Sequence, residues 1–327
     1  MKHRFLASAA VLAFTLSLAG QSKPAAPKKW TQSRTPDGQP DLQGIWSNAT
    51  ITPFERPKEL AGKEFFTEQE AADYEKRILR EGNRDIRGRN AAADVNGAYN
   101  EFWFDRGTKV VPTRRTSLVV DPPDGKVPPL TPEAQKAAAV RDEIARRPPE
   151  GPEDLALVVR CIVWPTVVPM LPTAYNNNYQ IMQTPGYVTI MTEMIHDVRI
   201  IPLDGRPHIP ENIRLWLGDS RGHWEGTTLV VDTTNFTDKT HFSNSDRNLH
   251  LIERFARTDA NTILYQFTVD DPTAFTRPWT GEVPLTTAPG PIYEYACHEG
   301  NYALADILKG ARAQEKDAAA AAKKDSR

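Results

Sequence analysis

Between about Arg160 and Tyr302, charged and imidazole side chains interrupt stretches that are otherwise apolar: Glu193, His196, His223, Glu225, Glu253, Arg254, His298 and Glu299. A buried charge without a partner is costly, so each must be paired or must bind something. Two groupings have acid–base potential. In Glu193-Met194-Ile195-His196-Asp197 an imidazole lies between acids, and an imidazole oriented by a carboxylate is suited to general base chemistry near neutral pH. His298-Glu299 directly follows Cys297. Glu-x-x-His is also a metal-ligand spacing on a helix, but on a strand i and i+3 face opposite ways, so the metal and cofactor requirement stays open. His196, Glu193, His298 and Glu299 form the candidate catalytic set, with the two histidines expected to address one pocket. His196 also fits a hydrogen-bonded turn.

A second set has binding potential. Residues 249–257 and 262–270 read as a hairpin across Asp259-Ala260. If Arg257 faces Thr262, one face carries Ala256, Arg254, Ile252 and His250 against Ile263, Tyr265, Phe267 and Val269. That face is the more apolar, and it sets a guanidinium beside a phenol. Arg254 and Tyr265, with His250, would then hold a carboxylate or phosphate of a small ligand inside the β-structure. The alternatives are an internal ion pair with a barrel carboxylate or an external Arg. His223-Trp224 adds a possible contact, read as a glycine-rich turn at a barrel mouth holding Gly218, Gly222 and Gly226.

The elements that must position these residues are mostly short strands. Asp41 to Trp46 opens ordered structure, and 116–121 is a strand closed by Pro122-Pro123-Asp124-Gly125. Strands are expected at 179–183, 187–193, 198–203, 213–217, 228–234, 249–257, 262–270, 279–285 and 292–297. Thr67 to Gly82 reads as a helix with a capping box, and Thr131 to Arg147 as another with Pro132 at its first position. The fold expected is mainly β with peripheral helices: an antiparallel meander forming a lipocalin-like barrel or a strongly curved sheet. One β-rich domain would span 40–310, with a helical insert around 67–147, a disordered leader over 20–39 and a disordered or frayed helical tail over 311–327.

Residues 1–19 carry the marks of a secretory signal: basic Lys2, His3 and Arg4, an apolar run from Phe5 to Leu18, and Ser17-Leu18-Ala19 for cleavage. The run is short for a bilayer span, and Gln21 stands where a lipoprotein would need Cys, so no membrane anchor is expected and the location implied is periplasmic or secreted. The formal net charge is −2 before the basic leader is lost, which disfavours nucleic acid as a partner and leaves a small-molecule ligand. Two cysteines, Cys161 and Cys297, suggest one disulfide in an oxidising compartment, tying the first strand of the meander to its last. No nucleotide-binding glycine motif and no nucleophile elbow is present. Oligomeric state is not legible.

Several phrases carry a resemblance: Pro40-Asp41-Leu42-Gln43-Gly44-Ile45-Trp46, Gly218-Asp219-Ser220-Arg221-Gly222-His223-Trp224-Glu225-Gly226 and Tyr295-Ala296-Cys297-His298-Glu299-Gly300-Asn301-Tyr302. The chain resembles an exported bacterial protein family of unknown function, common in soil bacteria. The resemblance covers nearly the whole mature chain, implies export and brings no reaction with it. Gly44-Ile45-Trp46 is also similar to the Gly-x-Trp that opens the first strand of lipocalins. Two readings follow: a carrier of an apolar ligand with an anionic group, or a hydrolase or lyase using His/Glu acid–base or metal-assisted chemistry. Convergence of the histidines and carboxylates on one space would separate them.

Overall fold

A computed structural model describes residues 30–86, 100–164, 167–240 and 242–325. The signal-like stretch, residues 20–29 of the leader, the later part of the 83–97 loop and the last two residues of the tail lie outside these. The chain divides after Thr31, and the compact body is Gln32–Arg327.

Ten strands form one antiparallel sheet among the described residues: β1 (Gly44–Ser47), β2 (Val119–Asp121), β3 (Asn178–Thr184), β4 (Tyr187–Thr192), β5 (Val198–Pro202), β6 (Asp219–Glu225), β7 (Thr228–Thr234), β8 (His250–Asp259), β9 (Thr262–Asp270) and β10 (Trp279–Thr287). The spatial order is β5-β4-β3-β1-β10-β9-β8-β7-β6, with β2 pairing only with β10, and the sheet curls into a nearly closed barrel. The strands form because apolar and polar residues alternate. In β9 the side chains of Ile263, Tyr265, Phe267 and Val269 are buried and those between them are partly exposed.

Along this order every step is antiparallel, so the two edge strands, β5 and β6, run in the same direction. Parallel neighbours cannot be joined by a tight hairpin. The segment 203–218 is therefore a crossover connection, not the strand expected at 213–217. It makes only a single parallel bridge, Leu215 to Phe236. Gly222 lets the edges approach at one end. A Cβ there would lie 2.7 Å from Leu203 Cδ2 and 2.9 Å from Ile201 Cγ2. Strand β6 thus occupies most of what the sequence suggests is a glycine-rich turn, and the left-handed glycines, Gly218 at φ +70° and Gly226 at φ +63°, stand at its two ends.

At the seam the side chains, not a ladder, join the edges. Arg199 of β5 reaches across to Glu253 of β8 through Nη1–Oε1 at 3.1 Å and Nη2–Oε2 at 2.5 Å. It also donates to Ser220 Oγ of β6 at 3.1 Å and Thr233 Oγ1 of β7 at 3.4 Å. Tyr265 donates to Glu253 Oε1 at 2.9 Å and accepts from the Met170 amide at 3.0 Å. The Arg199 and Glu253 side chains are 3% and 0% exposed. Burial opposes the charge on Arg199, but Glu253 outweighs it and holds the guanidinium above its usual value. Burial, and then the Glu253 charge, raise the Tyr265 phenol. Phe255 and Phe267 pack against the Tyr265 ring, and Trp46, Leu229, Ile181 and Ile190 are buried in the same core, so side chains fill the barrel interior.

The helices follow their caps. α1 (Glu68–Glu81) starts at Thr67 with a complete capping box to Glu70. α2 (Pro132–Arg146) starts at Thr131, whose hydroxyl accepts from the Ala134 amide. α3 (Ala303–Asp325) runs unbroken through the stretch expected to fray. It is anchored where Ala311 is buried and Arg312 donates to the carbonyls of Pro149 and Glu150. The end of the leader is also ordered: the Thr35 amide donates to Gln39 O and the Asp41 amide to Ser33 O, both at 2.9 Å. Cys161 and Cys297 form a disulfide with Cα atoms 5.8 Å apart. It does not join two strands, because 292–297 forms no strand and Cys161 lies in a turn. It clamps the segment after β10 to the loop before β3. No helix among the described residues is long and apolar enough to cross a membrane.

Breaking the seam pair from one side should be severe. Glu253→Gln should cost about 3–5 kcal/mol in denaturant unfolding, because it strands a buried guanidinium, while the paired Arg199→Met/Glu253→Leu variant should recover most of that loss. A single substitution without effect would remove the pair from its place as the closing element.

Candidate functional site

The 249–270 hairpin is one residue out of the expected register. The bulge between Arg257 and Asp259 pairs Arg257 with Ile263, so Phe255 faces Tyr265 and Arg254 faces Gln266. A one-residue slip exchanges the faces of a whole strand. Leu251, Glu253 and Phe255 therefore point inward with Tyr265, while His250 and Arg254 point outward. Arg254 is a surface residue, 41% exposed, paired with Glu225 at 2.5 Å. An interior arginine does stand near Tyr265, but it is Arg199, and Glu253 neutralises it. The interior anion pocket built on Arg254 and Tyr265 is thus replaced by an internal ion pair. His223 is exposed beside Glu225 at 3.3 Å, and Trp224 turns inward against the core.

The acid–base set divides between the turn after β4 and the segment after β10. Glu193 is buried and accepts from Asn178 Nδ2 at 2.9 Å, tying the end of β4 to the start of β3. His196 is exposed, with Nδ1 3.2 Å from Tyr295 O. The His196 amide donates to the Glu193 carbonyl at 3.4 Å, closing the turn, but no side-chain hydrogen bond among the described residues joins the imidazole to Glu193, His298 or Glu299. The turn carrying His196 is nonetheless strained. Ile195 and His196 have φ values of +57° and +47° in succession, and a β-branched residue there is a genuine outlier. Beyond it, burial lifts the Asp197 carboxyl to about 6, and its Oδ2 is buried without a partner among the described residues.

His298 and Glu299 line two adjoining clefts at the disulfide end. The larger, about 550 Å³, is walled by Trp164, Tyr175 and Tyr295, with Glu294 and Glu299. Trp164 and Tyr175 meet edge to face, centroids 6.4 Å apart at 61°. The smaller, about 340 Å³, is lined by Arg160, His298, Ile162 and Leu304. Val159 and Asn301 border both. The disulfide and the bond from Asn301 Nδ2 to Val159 O, at 3.0 Å, hold the two walls together. Arg160 is half-buried and forms no ion pair among the described residues.

A further polar cluster lies on the outer face of β6, β7 and β8. His208, on the crossover, has Nδ1 2.8 Å from Asp219 Oδ2 and Nε2 2.9 Å from Asp232 Oδ1. Asp232 meets His250 Nε2 through its other oxygen at 2.7 Å, and Arg221 pairs with Asp219 at 2.8 Å. Burial works against the Asp232 charge, but His250 and His208 outweigh it and lower the carboxyl. The bond to Asp232 raises His250 against its own burial. The cluster pins the crossover to the sheet. Asp232 was detectable as the single acid on the outward alternation of Val230, Asp232 and Thr234. His208 carried no local signal. Among the described residues no group of three or more acid, His or Cys side chains is arranged to hold a metal ion.

Two titrations follow. A raised histidine stabilises the fold fully below about pH 6.5, and the gain fades as pH rises through its folded value; a lowered Asp232 stabilises above about pH 4, fading in acid. NMR titration should place His250 above the ordinary histidine value, and Asp232→Asn should return it; an unmoved midpoint would contradict the bridge. Asp197, raised to about 6, instead destabilises the fold once ionised. Asp197→Asn should gain about 1–2 kcal/mol at pH 8, allowing for its partial exposure, and nothing below about pH 4. A gain independent of pH would rule out this cause.

No family model, no curated protein and no solved structure matches this chain.

Proposed function

We propose that this protein is an exported carrier of a small apolar ligand bearing an anionic group, held at the disulfide end of the barrel. The carrying observation is the pair of braced clefts. Trp164, Tyr175 and Tyr295 offer an apolar wall, and Arg160, half-buried and unpaired among the described residues, offers the anchor for an anion beside His298. Pockets of this size with a few convergent polar groups are the ordinary form of small-molecule sites. The filled interior and the surface position of Arg254 move the ligand out of the barrel lumen. Export is supported by the signal-like leader, by the motifs resembling exported bacterial proteins and by the disulfide.

A second reading, acid–base catalysis of hydrolase or lyase type, is favoured by one observation. If His196 donates from Nδ1 to Tyr295 O, its exposed Nε2 is free to take a proton, next to an Asp197 that stays neutral up to about pH 6. In that case His196→Asn would abolish turnover without changing ligand affinity at the clefts.

The carrier reading is tested with 8-anilinonaphthalene-1-sulfonate, an apolar ring system with one anionic group. It should bind with one-to-one stoichiometry. Arg160→Gln and Trp164→Ala should each weaken it by about tenfold, the loss of one charge-assisted or aromatic contact. Arg254→Gln should leave it unchanged. Binding that depends on Arg254 and ignores both cleft variants would contradict this assignment.

A further inference from the structure

We infer that the ligand is zwitterionic, with an ammonium group seated among Trp164, Tyr175, Glu294 and Glu299 and its anionic group over Arg160. The inference rests on the carrier reading above and names the ligand class for the same site. Its basis is the opposite charge of two clefts divided by one ridge. Val159 and Asn301 border both spaces. On one side are two carboxylates, Glu294 and Glu299; on the other are Arg160 and His298. Glu294, Glu299 and Arg160 form no ion pair among the described residues, so their charges are not spent within the protein.

The aromatic side is shaped for a cation. Trp164 and Tyr175 form a corner, 6.4 Å between centroids and 61° between planes, and Tyr295 lines the same cleft. Ring faces are the negative pole of the aromatic quadrupole, so a cation in such a corner is attracted by the rings and by the carboxylates together. An anion there would meet two like charges. A ligand with only an anionic group would fill the Arg160 side and leave the carboxylates facing its apolar body. A ligand with both charges satisfies both sides, and the ridge fixes its direction.

The test uses matched probes. Trimethylammonio-alkanoates with two to six methylenes are compared with isosteres in which carbon replaces nitrogen, so that 5,5-dimethylhexanoate matches the three-methylene member. Affinities are measured calorimetrically on the full disulfide-bonded chain, and sites by NMR shifts of the Trp164 indole. At least one zwitterion should bind about tenfold more tightly than its isostere. The Glu294→Gln/Glu299→Gln variant should erase that preference while leaving isostere affinity unchanged. Arg160→Gln should weaken both probes. If the isosteres bind at the clefts as tightly as the zwitterions, the cation site is overturned and the carrier reading stands. If neither class binds, both fall together.

Discussion

The buried pair between Arg199 and Glu253 is the interaction on which the rest of this structure depends. An unbroken antiparallel path with β5 and β6 as its edges leaves those edges parallel, and no ladder closes them. Closure is handed to one guanidinium, which reaches from β5 to β6, β7 and β8 at once. A charge can sit there only because Glu253 accepts it bidentately and Tyr265 satisfies the carboxylate in turn. The same network ties in the Met170 amide, and so the loop that precedes β3. The interior is committed to holding the barrel together.

Chemistry is therefore displaced to the outside, and the connections decide where. The crossover that parallel edges require brings His208 onto the outer face of β6 and β7, creating the bridge to Asp232 and His250. The disulfide draws the segment after β10 against the loop around Cys161 and opens the two clefts between them. The strained turn at Ile195 and His196 meets that same segment at Tyr295, so both candidate chemistries gather near one end of the chain's last ordered loop.

Much of the architecture was legible because it rests on local signals. Alternating strands, the Thr67 capping box, Pro132 at a helix start and the pairing of two cysteines are each written in short stretches. The site was less legible because register is not local. A single bulged residue at Thr258 carries Glu253 inward and Arg254 outward. Either side chain suits either face by its chemistry, and only the partner strand decides. Arg199 stood in plain view as a charge in Val198-Arg199-Ile200-Ile201, yet its partner lies 54 positions away. His208 depends on a crossover whose need appears only once the strands are placed in order.

The most direct test of this account is native-state hydrogen exchange, compared between the protein and Glu253→Gln under conditions where both remain folded. If the pair closes the barrel, the substitution should strip protection first from β5 and β6, the strands without a shared ladder, while β8, β9 and β10 keep theirs. Uniform loss across all strands, or β5 and β6 protected as before, would contradict the claim that this ion pair holds the seam.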